Sequence, residues 1–187
     1  MARYTEKAIL QTFEEMIEQM PFDKITVSAL TKKCDISPNT FYYHYADIYE
    51  LLEQWFQITA QNFLEKHQND EGWEITFKQV LKELKEHPNT VYHIADSLSR
   101  ENLEQYVYES LHGAIKHLAE HKAGLIGIDQ KTVNSIIDIM SYALLGFFLR
   151  FLASRMTIDE DAIIDSISRA FNGAIEIFVL NSIMTSK

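Results

Sequence analysis

An all-α chain, with a small N-terminal head and a longer helical body, is what the sequence predicts, and three observations predict it. Glycine and proline are scarce, 6 and 3 among 187 residues, which disfavours a turn-rich β architecture. Apolar residues, 47% of the chain, recur at three- and four-residue spacing along most of its length and are ample for a core. Residues 26–45 read as two short helices joined by a tight turn.

The first helix is expected over residues 5–20, with Ile9, Phe13, Met16, Ile17 and Met20 in one stripe and Glu6, Glu14, Glu15 and Glu18 in water. Pro21 ends it, and Phe22 and Ile25 tuck beneath the head. Thr26 then offers a hydroxyl cap, and Val27, Leu30 and Cys34 share a buried face. Asp35 stands where the chain must reverse, a place for a residue that tolerates the left-handed conformation. Ser37 caps the second short helix, and Pro38 takes its first position, where a missing N–H costs nothing. Phe41 and Tyr45, four apart, face inward beside Ile36, leaving Asn39, Thr40, Tyr42 and Tyr43 outward.

A further helix is expected from Asp47, with Glu50 at capping-box spacing, to about residue 67, burying Ile48, Leu51, Leu52, Trp55, Ile58 and Thr59. Residues 69–72 make the first clear break. The body continues with helices at about 73–86, 91–98 and 101–121, the turn at 87–89 being forced by Pro88. The helix at 73–86 turns Trp73, Phe77, Val80, Leu81 and Leu84 inward, and the one at 101–121 turns Leu103, Val107, Leu111, Ala114 and Leu118 inward. Gly124, Gly127 and Asp129 bracket a loop. The last two helices, at 130–154 and 159–182, are the most apolar. A functional boundary falls near residue 50, dividing a head of residues 1–50 from a body of residues 51–187.

Composition narrows the setting. The lone Cys34 cannot form an internal disulfide, and residues 1–20 are charged throughout, unlike a signal peptide. The apolar run 142–149 is bounded by Arg150 and falls short of the ~20 residues that span a bilayer. A cytoplasmic protein without membrane contact is expected. The net charge is −10. Residues 1–50 hold five Lys/Arg against eight Asp/Glu, a net of −3. Binding to a polyanion would then depend on clustering of Lys24, Lys32 and Lys33 near the two-helix unit, with Arg3 and Lys7 at the start.

The two-helix unit is a helix-turn-helix, whose second helix suits a DNA major groove. Thr26-Val27, Cys34-Asp35-Ile36-Ser37, Thr40-Phe41-Tyr42-Tyr43-His44-Tyr45 and the stretch from Asp47 to Leu52 together resemble the DNA-binding signature of the TetR family of transcriptional regulators. That resemblance implies phosphate contacts from Thr26, Thr40 and Tyr42. It implies base-edge contacts from Ser37, Pro38, Asn39 and Tyr43, with His44 at the margin. Phosphate contacts would set register and base contacts sequence preference. The chain departs from the family pattern in three places. Ile48 and Ala46 stand where lysines are common, and Asp35 stands where glycine is common.

In the body, Ile136, Ile137, Met140, Ala143, Leu144, Phe147, Phe148, Phe151 and Leu152 wrap most of one helix. Ile163, Ile164, Ile167, Ala170, Phe171, Ala174, Ile175 and Phe178 cover more than one face of the next. A helix apolar nearly all round is buried on several sides, so a homodimer interface is expected through Ile136, Met140, Ala143, Phe147, Phe151, Ile167, Phe171, Ala174 and Phe178. Gly146 would allow close approach. The competing expectation is that both helices form the monomer's own core. Trp73, Phe77, Tyr92, Tyr106, Tyr108 and Phe147 would line a pocket for a small-molecule effector, or else pack as core. The short body, with Tyr142, Gly146 and Arg150 ahead of a second apolar helix, looks similar to the branch of the family that contains activators of dihydroxyacetone kinase operons.

No enzyme is expected, since the chain has no glycine-rich phosphate loop, no GxSxG and no Cys/His pairing. His117 and His121 have the i, i+4 spacing of two metal ligands but lack companions, so neither metal nor cofactor is expected. The reading is a TetR-type regulator that binds a near-palindromic operator in double-stranded DNA as a homodimer, modulated through its body by an effector or protein partner. The alternative is a helical interaction module that kept the fold and lost DNA binding.

Overall fold

The computed structural model describes residues 2–67, 73–123 and 130–169, and these are all-helical. The order is α1 (Ala2–Gln19), a 3-10 turn (Phe22–Lys24), α2 (Val27–Lys33), α3 (Pro38–His44), α4 (Ile48–Lys66), α5 (Trp73–Glu86), α6 (Pro88–Ala95), α7 (Arg100–Ala123) and α8 (Gln130–Ala153). A last helical stretch is described over residues 160–169. The expected break at 69–72 and the loop holding Gly124, Gly127 and Asp129 lie outside the described residues, as do Ala170, Phe171, Ala174, Ile175 and Phe178.

Two compact units emerge. One comprises Met1–Ala60 with Leu84–Tyr106, the other Gln61–Glu83 with the described residues from Val107 onward. The first unit has a core of Ile9, Phe13, Met16 and Ile17 from α1, Phe22 and Ile25 from the turn, and Leu30, Phe41 and Tyr45 from the helix pair. Leu51 and Leu52 of α4 and Ile94 of α6 close it. A three-helix head is too small to bury enough apolar surface by itself, and α4 and α6 supply the rest. Within this unit α1 packs on α6 and α2, and α2 on α3.

Local chemistry explains the starts and stops. Asp47 Oδ1 accepts from Tyr49 N–H at 2.8 Å and Glu50 N–H at 3.0 Å, so α4 opens just after Asp47. The Glu50 carboxylate reaches back to Ala46 N–H rather than to Asp47, a capping box shifted by one residue. α6 begins at Pro88, three residues before the expected start, because proline at the first helical position lacks only an N–H that would be unpaired anyway. α4 also differs from expectation, in that Thr59 is exposed and Phe56 instead packs against the head core. α7 buries Ile115 along with Val107, while Leu111 and Ala114 are half-buried.

In the second unit α8 turns Val133, Ile137, Met140, Ser141, Leu144, Leu145, Phe148, Phe151 and Leu152 inward. Over an 18-residue window α8 is long and apolar enough to cross a bilayer, by length and composition only, with 44% of that window buried. The apolar run thus extends beyond residues 142–149, as it does in a helix buried in a protein core. Ile163, Ile164 and Ile167 of the last described stretch are buried. That stretch is tied to α5 by the Lys78–Asp161 ion pair and by Ser168 Oγ to Glu74 at 3.1 Å.

Candidate nucleic-acid interface

The turn between α2 and α3 is a Schellman stop. Asp35 takes φ 55°, Ile36 N–H reaches Thr31 O at 3.0 Å, and Asp35 N–H reaches Lys32 O at 3.4 Å. Asp35 therefore holds the left-handed position that glycine would take most cheaply. Ser37 Oγ then accepts from Thr40 N–H at 3.1 Å, and Thr26 Oγ1 accepts from Ala29 N–H at 3.1 Å. Both caps use the oxygen as acceptor, so the Thr26 hydroxyl hydrogen is left to donate. Ser37 and Thr40 hydroxyls lie 2.9 Å apart, and whichever donates to the other leaves one hydrogen for an outside acceptor.

Phe41 at 0% exposure anchors α3, and its neighbours Tyr42 and Tyr43 stand out at 56% and 80%. Tyr42 meets the Phe41 ring edge-on at 5.5 Å, and Tyr43 meets His44 at 5.1 Å, so both exposed rings are braced. Ser37, Pro38, Asn39 and Thr26 are exposed, Thr40 and His44 half-buried. The structure thus gathers Ser37, Pro38, Asn39, Thr40, Tyr42, Tyr43 and His44 on one seven-residue helix and its cap, about 10 Å long. The length matches a major groove about 12 Å wide.

Electrostatics is less favourable. Lys24 pairs with Asp23 and Lys33 with Glu15, each at 3.0 Å. Exposed pairs of this kind contribute little, ~0–1 kcal/mol, and a phosphate can compete for either lysine. Lys32 is exposed and holds no ion pair among the described residues. At the far end of α3, Asp47 and Glu50 set two carboxylates at the start of α4, and Ile48 is half-buried against the head core. Ile48 therefore packs where a lysine would have faced outward.

Tyr45 ends α3 at 2% exposure, and its hydroxyl has no hydrogen-bond partner among the described residues. Burial, with Glu6 and Glu50 adding to it, pushes the phenol well above its ordinary range. Tyr45→Phe removes an unsatisfied buried hydroxyl and is expected to stabilise the protein by about 1 kcal/mol. A phenol whose folded pKa is raised contributes stability that is intact below pH ~10 and is lost as pH rises above it, since only the unfolded chain ionises there. Thermal melts at neutral pH and above pH ~10 should show the Phe variant more stable at both, with the gap widening at alkaline pH. A gap that stays constant or narrows would contradict this account.

The body residues divide. Tyr92 and Tyr106 belong to the first unit, Trp73, Phe77, Tyr108 and Phe147 to the second. Tyr106 stacks on Phe56 at 5.5 Å beside the head core, and Phe77 is buried. Of the interface expectations, Met140, Phe151 and Ile167 are buried within this chain, while Ile136, Ala143 and Phe147 are half-buried. Helical phase explains the division, because the same chain already covers one side of α8. The side left open carries Ile139 at 50% and Tyr142 at 64% exposure, and space for a Cβ at Gly146. Tyr142 lies 4.6 Å from Tyr108, whose neighbour His112 stands 3.3 Å from Asp138. Neither the exposure of Ile139 nor that of Tyr142 was singled out from the sequence, because apolar residues wrap most of α8. His117 is exposed on α7, and the side chain of His121 lies outside the described residues.

Two family profiles match the chain. One, described as bacterial regulatory proteins of the tetR family, covers residues 9–54, and the other, described as a transcriptional regulator C-terminal region, covers residues 71–173. No curated protein matches in sequence. Among solved structures, the dihydroxyacetone kinase operon activator DhaS superposes with a TM-score of 0.60 at 18% identity, over 93% of this chain and 97% of its own. A transcriptional regulator (TerR/AcrR family) from Aquifex aeolicus VF5 superposes with a TM-score of 0.52 at 16% identity, over 90% and 98%. At such identities the likeness is one of fold.

Proposed function

The chain belongs to the TetR family of transcriptional regulators, and from that premise we propose that it acts as a homodimer on a near-palindromic operator. Each subunit inserts α3 into the major groove of one half-site. The observation that carries this is the exposed row Asn39, Tyr42 and Tyr43, held on a helix whose opposite face, Phe41, is wholly buried. Thr26, Thr40 and Tyr42 bind phosphates, and Ser37, Pro38, Asn39 and Tyr43 face base edges, with His44 beside them. Residues 1–50 form the DNA-binding domain and residues 51–187 the regulatory and dimerisation domain. An effector or protein partner acts on the latter and changes operator affinity through it. An operator as target places the protein in the cytoplasm.

The test is titration of the protein onto the DNA upstream of its own gene at two salt concentrations. Affinity should fall as salt rises, with a shallow slope, because each neutralised phosphate adds about 0.9 to that slope and the head has few cations. Tyr42→Ala should weaken binding roughly tenfold, the loss of one charge-assisted contact per head. Binding insensitive both to salt and to Tyr42→Ala would sink the reading.

A further inference from the structure

The last turn of α1 contains a carbonyl that its own helix cannot serve. Met20 N–H closes on Met16 O at 3.0 Å, and the next bond in the series would run from residue 21 to Ile17 O. Residue 21 is proline, which has no N–H to give. The donor arrives instead from 76 residues further along the chain, where His93 Nδ1 lies 2.7 Å from Ile17 O. A carbonyl only accepts, so Nδ1 carries the hydrogen and donates it. The imidazole is half-buried, and its helix is seated firmly. Ile94 is buried in the head core and Leu98 packs beside it. Ser97 Oγ donates to His93 O at 2.7 Å and stands 3.5 Å from Asp23 in the 3-10 turn.

We propose that His93 is a positioning residue for DNA binding. By giving Ile17 the hydrogen bond that Pro21 cannot, it fastens α6 to the end of α1. It thereby sets the angle at which the turn Phe22–Lys24, and after it α2 and α3, leave α1. The path is short and rigid. Ile25 N–H bonds Phe22 O at 3.0 Å, α2 packs on α1, and α3 packs on α2. A change in the direction of the α1 end is inherited by every side chain on α3. Base-edge contacts tolerate such a change poorly, whereas phosphate contacts from exposed lysines re-form at a new angle. Without the bond, a half-buried carbonyl is left unserved and the last turn of α1 frays into other arrangements, of which only a fraction suit the groove. The net value of one such bond corresponds to about two- to tenfold in an equilibrium constant.

This inference rests on the regulator reading, and the experiment separates their failures. The full-length protein is used to select a duplex from a random-sequence pool, and failure to enrich any sequence would count against the regulator reading itself. Affinity is then measured for the selected duplex and for a mixed-sequence duplex of the same length. The proteins are the unaltered chain, His93→Leu, which keeps bulk and loses the donor, and His93→Gln, which keeps an N–H. The expected result is that His93→Leu binds the selected duplex about tenfold more weakly and the mixed-sequence duplex as before. His93→Gln should recover most of the difference. Unchanged affinity of His93→Leu for the selected duplex would overturn the proposal. Equal losses on both duplexes would overturn it too, since they signify a disordered head. So would a His93→Gln variant as weak as His93→Leu.

Discussion

Phe41→Ala should unfold the reading head and abolish operator binding. Phe41 has 0% exposure and lies in one cluster with Leu30, Phe13 and Tyr45, whose ring is 5.5 Å away. Removing a buried phenylalanine ring costs ~3–5 kcal/mol, part from lost transfer energy and part from the cavity. A domain's whole stability is of order 5–15 kcal/mol, and the head is the smaller unit, so little margin remains. Tyr42 also loses the ring edge that braces it. Hydrogen exchange resolved by segment would show α1 to α3 losing protection while α8 keeps its own, with DNA binding gone. Amides of α3 that stay as protected as in the unaltered protein would show that Phe41 does not anchor the head.

Ile139→Asp with Tyr142→Asp should convert a dimer into a folded monomer. Both side chains lie on the exposed side of α8, at 50% and 64% exposure, so within the monomer the main loss is the ring contact of Tyr142 with Tyr108. At a self-association surface, two carboxylates per subunit would have to be desolvated without partners, at several kcal/mol each. Sedimentation should then report a monomer with an unchanged helical spectrum. Operator affinity should drop by about 10²–10⁴, because the second half-site is no longer presented at high effective concentration. A double variant that still sediments as a dimer would move the interface to another face. Met140, Phe151 and Ile167 make poor test positions by comparison, because their replacement would damage the chain's own core.

The head was the more legible part because its signals are local. A cap at Thr26, a cap and proline at Ser37 and Pro38, and a reversal at Asp35 each act within four residues. The structure shows each one made. The outward set Asn39, Thr40, Tyr42 and Tyr43 follows from helical phase once Phe41 is inside, although Thr40, bonded to Ser37, is half-buried. Ile48 was legible both as a departure and as a buried residue of α4, but not in its partners, since its packing against the head core involves residues far earlier in the chain. The same limit hid Ile94, Leu98 and Tyr106, which complete a head that the sequence divides from them by more than thirty residues.

The amino-acid order by itself therefore determined where the two short helices of the head begin and end, which side of α3 faces out, and that the head is acidic. Those properties depend on the residue and its near neighbours, through caps, left-handed stops and 3.6-residue phase. Only the tertiary structure decided which apolar face of α8 is spent inside the chain and which stays exposed. Apolar residues wrap most of α8, so helical phase alone leaves the choice among its apolar faces open. Only the tertiary structure, likewise, brought His93 to the carbonyl that Pro21 leaves unserved. Hydrogen bonds between distant segments depend on packing, and packing is a property of the whole core rather than of any window of sequence.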